Sequence, residues 1–133
     1  MPVTEAPAPE RLSDLPGLLR TLSGFAPLAQ ALRAGRSGAI DGTWGSSAAL
    51  TAAALAAETR GTLLVVLAHA GDVPSWAEEI HSFSGARAAT FPADEIVPGA
   101  RLKILQQLQS DPPPRVVLGS VTRSILPEAI CTR

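Results

Sequence analysis

The 133-residue chain is 46% apolar and 17% charged, with a formal net charge of −1, which suits one domain with its own core and is too short for two of ordinary size. A balance so close to neutral excludes the arginine- and lysine-rich footprint of a dedicated nucleic-acid binder. The single cysteine, Cys131, excludes a disulfide framework and fits a reducing cytoplasm. No apolar run approaches the roughly 20 residues of a membrane span, and a secretory signal is missing.

Residues 1–11, rich in proline and glutamate, read as a disordered tail, and residues 12–133 as the folded domain. From 12 to 25, Leu12, Leu15, Leu18, Leu19, Leu22 and Phe25 recur at helical spacing. Pro16 and Gly17 split them into two short pieces. Residues 27–33 predict another short helix, stopped by the glycines at 35 and 38.

The pattern then alternates between short apolar runs and helical segments. Ala39 and Ile40 form a candidate strand, and residues 46–58 an alanine-rich helix capped by Ser46 or Ser47. The run TLLVVLA at 62–68 does not alternate, so it predicts a strand buried on both faces, as in a parallel sheet. Residues 73–83 predict a helix with Asp72 as N-cap, Pro74 in its first turn, and Trp76, Ile80 and Phe83 on one side. Residues 88–91 form a short strand candidate. Residues 101–109 place Leu102, Leu105 and Leu108 at helical spacing, with Ile104 beside them, until the prolines at 112–114 end the helix. RVVL at 115–118 is a second buried strand. This order predicts an α/β fold, a three-layer parallel sheet flanked by helices and joined by right-handed crossovers.

One stretch, DGTWGSSAAL at 41–50, has the outline of a phosphate-binding loop. Such a loop needs glycines whose amides curl around phosphate, a lysine to neutralise it and a hydroxyl to hold magnesium. Laid from Gly42, the spaced positions are Thr43, Trp44, Gly45 and Ser46. Ser47 then takes the second glycine's place, Ala48 the lysine's and Ala49 the hydroxyl's. Both side chains that would engage a triphosphate and its metal are methyl groups, and a charge-assisted hydrogen bond to phosphate that a methyl cannot make is worth about 1.5–3 kcal/mol. The same glycines also serve a plain strand-to-helix turn. Trp44 is placed to plug the space a nucleotide would fill.

Other candidates are thinner. His69, at the end of the best strand and near Asp72, stands where α/β ligand sites tend to lie. His81 with Glu78 lacks a third metal ligand, Asp94 and Glu95 read as a surface loop, and Cys131 has no histidine near it in sequence. No catalytic residue, cofactor or metal ligand is therefore assigned.

Taken together, LSDLPGLLRTL, ALRAGRSGAIDGTWGSSAALTAAALAAETRGTLLVVLAHAGDVPSWAEEIHSF, TFPADEI, RLKILQQL and RVVLGSVTRSILP resemble, in order and spacing over residues 12–130, the N-terminal region of bacterial transcription-repair coupling factors, the Mfd family. That family is a DNA translocase that removes stalled RNA polymerase and recruits the excision-repair protein UvrA. Its N-terminal region is similar to the damage-binding protein UvrB and includes a degenerate, RecA-like helicase domain. The resemblance implies that the 42–49 loop is the remnant of a helicase P-loop. It also implies that the chain is a non-catalytic scaffold, docking within its parent and binding no DNA directly. Two departures stand out: residues 92–100 replace a longer, proline-rich family loop, and the chain is expected to stop at Arg133, before the inserted domain that contacts UvrA. The competing readings are a small doubly wound nucleotide-binding protein or enzyme with a pocket near Gly42, His69 and Gly119, and a free-standing repair adaptor.

Overall fold

A computed structural model describes residues 8–92 and 98–121. Expectations that fall on 1–7, on Asp94 and Glu95, and on the segment from 122 to Cys131 and Arg133 lie outside the described residues. The chain begins with a 3-10 turn at Leu12–Asp14 and a short helix, α1 (Leu15–Leu19), with Pro16 in its first turn. Helix α2 spans Phe25–Arg33 and buries Phe25 and Ala29. The helix expected over 27–33 is found, starting two residues earlier, but the expected split at Pro16 and Gly17 is not: both lie inside α1, and the chain turns at 20–24.

Helix α3 (Ser46–Glu58) leads into β1 (Leu63–Leu67), and a 3-10 turn at Ala70–Asp72 leads into α4 (Val73–Ser84). Pro74 sits in the first turn of α4, where its missing N–H costs nothing. Gly85 ends the helix at φ 71°, a left-handed position that glycine takes without a Cβ clash. Strand β2 (Ala89–Thr90), helix α5 (Pro98–Leu108) and strand β3 (Val116–Ser120) complete the order.

The three strands form one parallel sheet in the order β1-β3-β2. The chain steps across two strand positions from β1 to β2, then back one to β3. Helix α4 packs against β3 and β2, and α3 against β1. On the α4 side, Ala49, Ala52, Ala53 and Ala56 of α3 and Ile80 and Phe83 of α4 bury Val116 and Leu118, with Leu63 and Val65 packed against them. A second, smaller cluster joins Phe25 and Ala29 of α2 to Ala54 of α3.

Three expectations are corrected here. Ala39 and Ile40 form no strand; the segment is irregular, and Ile40 is exposed. β1 is not buried on both faces: Leu64 and Val66 are 63% and 49% exposed, because among the described residues β1 is an edge strand whose second face is uncovered. The strand buried throughout is β3, which the sheet order makes central. On α5, Ile104 is buried while Leu102, Leu105 and Leu108 are exposed, the reverse of a leucine-facing core.

Candidate functional site

The 42–49 loop is built by glycine conformations. Gly42 (φ 77°) and Gly45 (φ 51°) both take positive φ, open to glycine and strained for other residues. Gly45, not Ser46 or Ser47, is the N-cap of α3, and no side chain caps the helix there. Ser47 instead reaches backwards. Its hydroxyl accepts a hydrogen bond from the Trp44 N–H at 2.8 Å and donates to the Trp44 carbonyl at 2.8 Å.

Three more of the loop's amides are also bonded locally. The N–H of Gly42 donates to Asp41 Oδ1 at 2.8 Å, that of Ser47 to the Trp44 carbonyl at 3.1 Å, and that of Ala48 to the Gly45 carbonyl at 3.1 Å. A phosphate cradle needs such amides free and convergent. The nearby charges have the wrong sign for an anion as well: Asp41 lies in the loop, and Ser46 donates to Glu79 Oε1 at 3.2 Å.

The two alanines have different fates. Ala48 is half-buried at the start of α3. Ala49 is fully buried in the main core, its methyl packed among α4 and β3 side chains rather than facing the loop. A hydroxyl at position 49 would therefore enter the core. Trp44 does not plug a cavity, since it is 82% exposed. The loop is held by its own turn bonds and needs no filler.

The other sequence candidates do not converge. His69 is exposed in the turn after β1, and its carbonyl accepts the Asp72 N–H at 3.2 Å. Gly119 is buried in β3 beside Val66. An apolar groove of about 400 Å³ lies between α1, α2 and the segment 39–43 beside Gly42. Leu19, Leu22, Phe25, Ile40 and Thr43 line it, and neither His69 nor Gly119 does. Among the described residues, no group of three or more His, Cys, Asp or Glu side chains could hold a metal ion. No helix there is long and apolar enough to cross a membrane.

Sequence reasoning missed one ionic constellation. Glu58, at the end of α3, pairs with Arg20 at 3.1 Å and with Arg33, whose Nε also donates to the Glu58 carbonyl at 3.2 Å. A carboxylate at a helix C-terminus is unfavourable by itself, and the two arginines reverse that while tying α1 and α2 to α3. The only signal in sequence was an acid ending an alanine helix.

Fold and loop together define a small α/β protein with a parallel three-stranded sheet and a glycine turn closed on itself. The chain matches no family model, no curated protein and no solved structure. Its likeness to coupling factors therefore rests on the five sequence stretches that carry it.

Proposed function

We propose that this chain is a non-catalytic module from the N-terminal region of a bacterial transcription-repair coupling factor, acting in the cytoplasm in transcription-coupled nucleotide excision repair. It serves as a scaffold and intramolecular docking domain for the rest of the parent translocase. In this reading it reaches UvrA only through a parent segment beyond this chain, and it takes no cofactor.

The observation that supports this best is the 42–49 loop, with the amides of Gly42, Trp44, Ser47 and Ala48 bonded locally, the Asp41 carboxylate on the first of them, and methyl groups at 48 and 49. The uncovered apolar side chains Leu64, Val66, Leu102 and Leu105 agree with a module that packs against neighbouring domains. Titration with ATP and magnesium tests the reading. The expected result is no saturable binding at micromolar nucleotide, and tight binding with hydrolysis would overturn it. The double substitution Ala48→Lys and Ala49→Thr is expected not to create a nucleotide site, because the turn bonds remain and the threonine hydroxyl enters the core.

A further inference from the structure

A parallel sheet brings every strand-entry loop to the same edge, and in this chain each of the three loops carries an arginine. Arg60 precedes β1 by three residues, Arg87 precedes β2 by two, and Arg115 directly precedes β3. Strands β1 and β2 both run parallel to β3, so the three loops enter the sheet at the same end. All three arginines are exposed. Asp111 is the one acid in the loops at 59–62, 85–88 and 109–115, and Glu58 nearby is already engaged by Arg20 and Arg33.

Helices α3 and α4 end at this edge, and their C-terminal dipoles favour cations there. That accounts structurally for Arg115, whose Nη1 donates to the Thr59 carbonyl at 3.1 Å. It leaves Arg60 and Arg87, which make no hydrogen bond or ion pair with the described residues, facing solvent. Between the ends of α3 and α4 lies a cleft of about 200 Å³, walled by the methyl groups of Ala53, Ala56, Ala57 and Ala86, by Val116, by Arg115 and by Ser84, whose hydroxyl is bonded to the Ile80 carbonyl. The small alanine side chains leave the space, and the arginine gives its wall a charge.

We propose that this end of the sheet is a docking site for a protein segment that presents one large apolar side chain flanked by carboxylates. The apolar side chain enters the alanine-walled cleft, and the carboxylates bind Arg115, Arg87 and Arg60. An apolar anchor in a pocket ringed by complementary charge is how small protein interfaces concentrate their affinity. Duplex nucleic acid fits less well, since phosphates gain nothing from methyl walls and the chain as a whole is slightly acidic. This surface lies at the opposite end of the sheet from the 42–49 loop and does not depend on the function proposed above.

The test is fluorescence anisotropy of a fluorescein-labelled synthetic peptide with a central phenylalanine between glutamates, titrated with the full chain at low ionic strength. Saturable binding is expected, weakened about tenfold when the central residue is alanine. Arg87→Glu and Arg60→Glu, at exposed and unbonded positions, should each weaken it about threefold to tenfold with unchanged circular dichroism. Ala57→Leu, at the exposed wall of the cleft, should bring the phenylalanine peptide down to the alanine peptide's affinity with unchanged circular dichroism. Absence of binding, equal binding of the two peptides, full binding by the double arginine variant, or displacement of the peptide by short duplex DNA would each overturn the proposal.

Discussion

The two faces of the sheet are made from the same kind of residue and meet opposite fates. On one, Leu63, Val65, Val116 and Leu118 lie beneath the alanines of α3 and the Ile80 and Phe83 side chains of α4. On the other, Leu64 and Val66 stand in solvent one residue away from their buried neighbours, and the leucines of α5 are exposed as well. An apolar run thus marks a strand that can be buried twice; whether it is depends on how much chain is present to cover the second face. Strand β1 is packed on one side only, whereas central β3 is buried on both.

Truncating a side chain on the packed face should have the largest effect. Leu118→Ala removes a fully buried residue of the central strand and should destabilise the chain by about 2–5 kcal/mol, read from the urea midpoint at constant slope. Ala49→Leu, which overfills the α3–α4 contact, should cost about 1–3 kcal/mol in the same assay. Smaller still is Glu58→Gln, which weakens a solvent-facing ion cluster. A loss of about 0.5–1 kcal/mol is expected, and it should shrink as salt is raised in parallel melts. On the open face, Leu64→Thr and Val66→Thr should change stability by no more than about 0.5 kcal/mol while reducing self-association by light scattering. A large stability loss there would mean that this face is covered.

Much of this architecture is readable in the amino-acid order. TLLVVLA and RVVL carry enough β-branched and apolar residues to announce strands, and Pro74 with Gly85 brackets α4. The alternation of elements points to the α/β class. The failures have a common physical cause, since each depended on long-range partners. Ala39 and Ile40 have no strand to pair with, a fact their identity does not carry. The burial of β3 over β1 follows from sheet order, which no local pattern encodes. At the loop, the missing lysine and hydroxyl were legible from Ala48 and Ala49. The local bonding of the amides was not, because it depends on Ser47 reaching back to Trp44 and on Asp41 bonding Gly42. Trp44 misled because a large aromatic beside glycines resembles a stopper, whereas the closed turn leaves it nothing to fill.

Helix α3 touches the main cluster through Ala49, Ala52, Ala53 and Ala56, and the second cluster through Ala54. It is therefore a party wall between two rooms, and neither can be vacated while the other stands. Amide exchange should show this: α3 protons exchange only through global opening, in step with β3, while α5, with its leucines in water, opens locally and far more often. A thin wall of methyl groups thereby makes two modest cores behave as one cooperative unit.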